Sequence, residues 1–329
     1  MSSRKERPRL GLILPAYNEQ EVLATTLAKL HDIKLGLIKD NLISMDSFIL
    51  VVDDGSSDET WSIIQQKELT HADMIGVKLS RNFGHQSALL AGMTEGVKLA
   101  DILITLDADL QDSPEVIQNM IIKYQEGNEI VYGVRSSRQE DTWFKRNTAL
   151  GFYKLSALLG VEMIPNHADF RLMSGLAVQE LLKMPERNVF LRAMVPLVGY
   201  PSTQVYYERH ERQAGQSKYP LKKMLSFAID GITSFSMQPI RVLFGIGSLV
   251  LSVAGIEIMY TIFAKMLGHT EAGWSSLMIS IWLLGGVNLI AISMVGIYIG
   301  KIFTEVKHRP LFHIEDETGS FVKKSKQVG

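Results

Sequence analysis

The chain has 329 residues, 46% hydrophobic and 21% charged, which is too long and too apolar for one small domain or a disordered segment. Its 34 Lys and Arg balance 35 Asp and Glu, so no global positive field points to nucleic acid as a partner. With no cysteine, a disulfide framework, a thiolate metal site and a cysteine nucleophile are all excluded.

The opening residues, MSSRKERPRLG, are polar and basic and lack the apolar stretch of a signal peptide. Short apolar runs then alternate with helical stretches. Strands are predicted at Leu10–Leu14, Phe48–Val52, Ile75–Leu79, Ile102–Leu106 and Ile130–Val134, with helices at Glu21–Ile33, Thr60–Lys67, Gln86–Lys98 and Pro114–Tyr124 between them. Repeated β-α-β order implies an α/β fold, a parallel sheet with helices on both faces. Ligands on such sheets bind beyond the carboxyl ends of the strands. The polar clusters sit there: Pro15-Ala16-Tyr17-Asn18-Glu19, Asp53 to Asp58, Arg81-Asn82-Phe83-Gly84, Asp107-Ala108-Asp109 and Arg135. Neither GxGxxG after the first strand nor GxxxxGK[ST] is present, which disfavours a dinucleotide fold and a P-loop.

Asp107 and Asp109 flank a small residue where the chain turns, so their oxygens can converge on one hard cation, Mg²⁺ or Mn²⁺, that bridges phosphate. Gln111 and Asp112 lie close enough to contribute. The competing reading makes the pair turn formers, with Asp112 or Ser113 capping a helix that has Pro114 at its first position. Asp53 or Asp54 can accept from a base N–H or a ribose hydroxyl, and Asp58 can cap the helix near Thr60. His85 and His167, with no His-x-x-x-His pair, read as hydrogen bonders rather than zinc ligands.

Further on, Leu221, Leu225, Ala228, Ile232 and Phe235 recur at helical spacing with Lys222 and Lys223 on another face, the pattern of a helix lying in a membrane surface. Val242–Ala264, with Glu257 its sole charge, and Leu277–Gly300, with none, both exceed the roughly 20 residues a spanning helix needs. Arg209, Arg212, Lys218, Lys222, Lys223 and Arg241 precede the first run. Lys301, Lys307, Arg309, Lys323, Lys324 and Lys326 follow the second, so both flanks are expected in the cytoplasm. Trp274 and Trp282 suit the outer interface. The expected division is a cytoplasmic catalytic domain (1–216), an interfacial amphipathic segment (217–239), transmembrane helices (240–266 and 274–302) and a cytoplasmic tail (303–329). Gly245, Gly247, Gly255, Gly285 and Gly286 offer small surfaces for helix contact in a homo-oligomer.

PAYNE, DDGSSDET, RNFGHQSALLAG and LDADLQDSPE, in this order, resemble family 2 glycosyltransferases of GT-A fold. The later YGVR, ADFRLM and HERQAGQSKYPLKKML narrow the resemblance to the polyprenyl-phosphate glycosyltransferases of the bactoprenol glucosyltransferase type, and more distantly to dolichol-phosphate mannose synthase. The resemblance implies a Rossmann-like, mostly parallel GT-A domain followed by the interfacial helix and the two spans. It implies an inverting, metal-dependent transfer of one sugar from a nucleotide sugar, a UDP-hexose, to undecaprenyl (polyprenyl) phosphate. The setting is a multi-pass protein of the bacterial cell membrane, active on the cytoplasmic side for cell-envelope glycosylation.

By that resemblance Pro15, Tyr17, Glu19 and Asp54, with Asp53 nearby, hold the nucleoside. Asp107, Asp109 and Gln111 hold Mg²⁺ or Mn²⁺. Arg135 and Arg146 match phosphate-contacting positions, and Arg209, Arg212, Ser217 and Lys218 lie near the acceptor and the membrane. Asp169 stands where related enzymes place an acidic group near the sugar or acceptor; it is a base, a holder of a sugar hydroxyl or a partner of Arg171. A tetramer is also carried from the resemblance. Processive relatives have a QxxRW motif, and no Trp here follows an Arg, so single transfer is expected. Two other functions stay open: the same chemistry on another lipid such as a diacylglycerol, and a non-catalytic membrane scaffold or flippase component.

Overall fold

The computed structural model describes residues 5–109, 112–136, 167–208, 238–267 and 273–319. They fall in two compact units. The first holds the described residues up to 208 together with 309–319, and the second those from 238 to 308.

Among the described residues the first unit has eight strands: β1 (Leu10–Ala16), β2 (Phe48–Asp53), β3 (Met74–Leu79), β4 (Ile102–Thr105), β5 (Ile130–Arg135), β6 (His167–Ser174), β7 (Ser202–Tyr207) and β8 (Ile314–Glu317). They form one sheet in the order β7-β5-β6-β4-β1-β2-β3-β8. β1 pairs in parallel with β2 and β4, and β2 with β3. Every residue of β1, β2 and β4 is buried, as expected for central strands covered on both faces.

Helices α1 (Leu23–Lys39), α2 (Thr60–Thr70), α3 (His85–Gly96) and α4 (Ile117–Gln125) cover this sheet, as the β-α-β alternation predicts. On α1 the residues Leu23, Leu27, Leu30, Lys34 and Leu37 recur at three- and four-residue steps and are buried as one stripe. α3 lies close on the centre of the sheet. A Cβ at Gly92 would come within 2.3 Å of Ile13 Cγ2, so only glycine permits that approach.

Three strands were not predicted. β6 runs antiparallel between β4 and β5, so β5 keeps the direction of β4 without touching it. β7 pairs in parallel with β5 at one edge. α5 (Gly175–Leu182) and α6 (Leu191–Leu197) lie between β6 and β7 in the chain. Ser174 caps α5, its hydroxyl accepting from the Ala177 N–H at 3.1 Å.

β8 lies in the segment expected to be a tail. Instead it adds antiparallel to β3 and covers the opposite edge of the sheet. Just beyond it Thr318 is buried, and its Oγ1 accepts from the Gly76 N–H at 3.0 Å. Thr318→Val keeps the shape and orphans that buried N–H. The variant is expected to lose about 1–2 kcal/mol of stability, read as a lower urea midpoint at unchanged slope.

The second unit contains α7 (Gln238–Met266) and α8 (Trp274–Val306), of 29 and 33 residues. Both expected apolar runs are therefore helical. Among the described residues one stretch, Leu283–Val306, is long and apolar enough to cross a membrane, with a mean hydropathy of 1.9 and none of it buried. Leu289 and Ile292 on it are each 68% exposed. The expected interfacial segment lies outside the described residues, apart from its last two positions, which begin α7. The side chains of Glu257, Trp274 and Trp282 are also outside them.

Candidate functional site

The site lies at the carboxyl ends of β1 to β5, where the loops are tied to one another. Asn18, in the left-handed region at φ 53, accepts through Oδ1 from the Ser57 N–H at 2.9 Å and donates its own N–H to Ser56 Oγ at 3.0 Å. The Glu19 N–H donates to Thr60 Oγ1 at 2.9 Å. Asp58, expected to cap α2, stands one residue before its N-cap Glu59; it accepts from the N–H groups of Thr60 at 3.0 Å and Gln20 at 3.2 Å and so ties the first loop to the start of that helix. Gly55, at φ +68, lets the second loop press on the third; a Cβ there would be 2.4 Å from the Arg81 carbonyl carbon. Tyr17 is 46% exposed beside these loops, Glu19 is half-buried, and Pro15 is buried in β1 opposite Val52.

The two carboxylates at the end of β2 differ sharply. Asp54 is 2% exposed, and both its oxygens are engaged, accepting from the N–H groups of Phe83 at 2.8 Å and Gly84 at 2.9 Å. It holds the β3–α3 loop. Asp53 is wholly buried; its Oδ1 accepts from the Ser56 N–H at 3.2 Å, and its Oδ2 has no partner. Burial raises the pKa of both above the ordinary value, against the pull of their N–H partners.

At the centre a row of charges crosses from β4 to α6. His85, the first residue of α3, sets its Nε2 3.7 Å from Asp107 Oδ1 and 3.4 Å from Asp169 Oδ2. Asp169 on β6 is ion-paired with Arg171 on the same strand. It also accepts from Arg192 on α6, Nη2 to Oδ2 at 3.3 Å and Nε to Oδ1 at 3.5 Å. Burial opposes the charge of Asp169, but Arg192, His85 and Arg171 outweigh it and hold its carboxyl well below the usual range. His85 is raised, because Asp169 and Asp107 overcome the burial that disfavours its cation. The arrangement is locked from behind. Gln86 Oε1 accepts from the Leu191 N–H at 3.0 Å, and Arg171 Nη1 donates to the Leu191 carbonyl at 3.3 Å.

Asp107 is pushed up to about 6 by the protein around it and by neighbouring Asp169, Asp112 and Asp109, with His85 pulling the other way. Its side chain is 41% exposed, so solvent screens part of that push. Among the described residues no three His, Asp or Glu side chains gather as a ready-made metal cage. The donor set still fits Mg²⁺ or Mn²⁺. Such ions are held by one or two carboxylates together with water and substrate phosphate, and a cation would discharge this crowded acidic corner.

Asp112 and Ser113 do not cap the following helix. Asp112 is 5% exposed and accepts from Tyr207 Oη at 2.5 Å and Arg135 Nη2 at 3.1 Å, while Ser113 Oγ donates to the Glu208 carbonyl at 2.6 Å. These long-range partners on β5 and β7 outcompete the local N–H groups, and Pro114 opens a single 3₁₀ turn ahead of α4. Part of the Arg135 fork is thus spent inside the protein, and its Nε is buried without a partner. Gln111, Arg146, Arg209, Arg212, Ser217 and Lys218 lie outside the described residues. From sequence alone His85 reads as a structural hydrogen bonder, and nothing singles out Arg192. A lone arginine in PERNVFLRAM carries no spacing signal that could have found it.

The model of glycosyl transferase family 2 matches residues 12–182. An uncharacterized glycosyltransferase, YkoT, of Bacillus subtilis (strain 168) is 50% identical over 95% of this chain and 93% of that protein. The bactoprenol glucosyl transferase of Shigella phage SfV is 37% identical over 94% of this chain and 99% of that protein. Among solved structures, a mannosyltransferase from Pyrobaculum calidifontis in complex with GDP-Man and Mn²⁺ aligns with a TM-score of 0.43 at 15% identity, over 92% of this chain and 87% of that chain. With an α/β sheet of this topology and relatives of this extent, the chain belongs to glycosyltransferase family 2, a glycosyltransferase homologous to the bactoprenol glucosyl transferases.

Proposed function

We propose that this enzyme transfers one sugar from a nucleotide sugar, of the UDP-hexose kind, to a polyprenyl phosphate at the cytoplasmic face of a bacterial membrane. The observation that carries the choice of acceptor is the wrapping of Asp169 by Arg171, Arg192 and His85. A carboxylate so engaged accepts a proton poorly. An alcohol acceptor such as a diacylglycerol needs a base to take its proton, whereas a phosphate monoester is already ionised at neutral pH and needs none. The likeness to the bactoprenol glucosyl transferase of phage SfV supports the same reading.

In this reading Tyr17, Pro15 and Glu19 border the nucleoside, and Asp53 supplies the carboxylate oxygen without a partner, while Asp54 holds the loop beside it. Asp107 and Asp109, with Gln111, would hold Mg²⁺ or Mn²⁺, which neutralises charge on the departing diphosphate. Asp169 orients groups at the reacting carbon. An acceptor phosphate oxygen forms the new bond to the anomeric carbon as the bond to the nucleoside diphosphate breaks. One direct displacement inverts that carbon. Arg135 and Arg146 are assigned to phosphate, and Arg209, Arg212, Ser217 and Lys218 to the acceptor and the membrane, on the resemblance of their segments. α7 and α8 are read as two spans with both ends in the cytoplasm, their glycines serving helix contacts in a homo-oligomer, a tetramer.

The test is radiolabel transfer by purified protein in detergent, with Mg²⁺ or Mn²⁺, undecaprenyl phosphate and a panel of UDP- and GDP-sugars. The expected result is a lipid product from one UDP-sugar that disappears on chelation. Transfer to diacylglycerol in place of the phosphate would sink the reading.

A further inference from the structure

The row of charges has two ends, and they differ in kind. At one end stand Asp107 and, two residues on, Asp109; at the other stands Arg192, reached through His85 and then Asp169. The two arginines on Asp169 also differ. Arg171 is 2% exposed and already pairs closely with the carboxylate, so its charge is committed. Arg192 is 39% exposed and holds the same carboxylate by longer bonds of 3.3 and 3.5 Å. It can turn part of its fork to a second anion without stranding Asp169, because Arg171 and His85 remain in place.

We propose that Arg192 binds the phosphate of the lipid acceptor and holds it for attack on the anomeric carbon. The inference rests on the reading of the acceptor as a phosphate. In a direct displacement the nucleophile enters opposite the leaving group. The departing diphosphate belongs at the Asp107 and Asp109 end, which puts the entering phosphate at the Arg192 end. The guanidinium fork matches two phosphate oxygens, and Asp169 beneath it fixes the plane of the fork. His85 stands between the two ends, beside both carboxylates.

The experiment uses the full chain in detergent, with the wild type, Arg192→Gln and Arg192→Lys. A short-chain prenyl phosphate is titrated at saturating nucleotide sugar, and the reverse. In Arg192→Gln the KM for the prenyl phosphate is expected to rise about tenfold or more, with the KM for the nucleotide sugar within about twofold of wild type. Arg192→Lys, which keeps the charge and loses the fork, is expected to fall between the two. Inorganic phosphate should compete with the prenyl phosphate in the wild type, and more weakly in Arg192→Gln. An equal rise in both KM values, or no change in either, would overturn the assignment and leave the acceptor reading intact. A wild type that transfers sugar only to a lipid lacking phosphate would overturn both.

Discussion

Asp107→Asn is expected to lower kcat by about 10²–10³ while leaving the protein at least as stable as before. The two effects have separate causes. On the proposed function, the Asp107 carboxylate would help hold the divalent cation that offsets charge on the departing diphosphate, and a neutral amide is a much weaker ligand for it. For the fold that same carboxylate is a burden: burial disfavours its charge, and Asp169, Asp112 and Asp109 add to the push against the pull of His85, raising it to about 6. A carboxyl whose folded pKa lies above its unfolded value takes up a proton more readily when folded. Its contribution to stability is therefore present below the unfolded value and is lost as pH rises through about 6. At pH 7 without divalent ions, Asp107→Asn should melt no lower than the wild type, and the wild type alone should gain in melting temperature from this group as pH falls from 7 toward 4. Kinetics and thermal unfolding on the same preparation check both halves. A marked loss of stability would mean that Asp107 is part of the scaffold.

Asp54→Asn is expected to do the opposite and cost about 2–4 kcal/mol of stability. Asp54 is sealed from solvent, and each of its oxygens takes one backbone N–H of the β3–α3 loop. Asparagine keeps one acceptor and turns an NH₂ toward the other N–H, leaving two donors face to face. The residue after Gly84 is His85, so the loss should reach the charged row as well. Chemical denaturation gives the energy. Faster hydrogen exchange at the Phe83 and Gly84 amides would localise it. Unchanged exchange there would show that something else carries the loop.

Much of this was legible in the amino-acid sequence, and the exceptions have physical causes. β1 to β5 announce themselves because apolar runs such as LGLILPA and FILVVD alternate with helical stretches, and the polar residues after each strand mark one edge. β6 hides because HADFRLMS carries Asp169 and Arg171, which look like surface charges until one sees that they neutralise each other inside. β8 hides for another reason. IEDE has the composition of a loop, and an edge strand facing solvent needs little more than backbone pairing. In the site, Asp107 and Asp109 stand out by their position after β4, whereas Asp169 is singled out only by the resemblance of ADFRLM to related enzymes. Asp112 was misassigned, because a residue just before Ser-Pro looks like a local cap and nothing in that segment points to Tyr207, 95 residues away.

The strand that closes the sheet has a bearing on the order of events during synthesis. β8 follows both long apolar helices in the chain, yet its partner β3 is made among the first eighty residues. A ribosome therefore emits seven strands and the long helices before the last one exists. Through that interval the β3 edge carries open N–H and C=O groups, the kind of surface that pairs with another chain. Emergence of residues 314–317 ends the exposure, so the catalytic sheet reaches its finished form only after the apolar helices have left the ribosome.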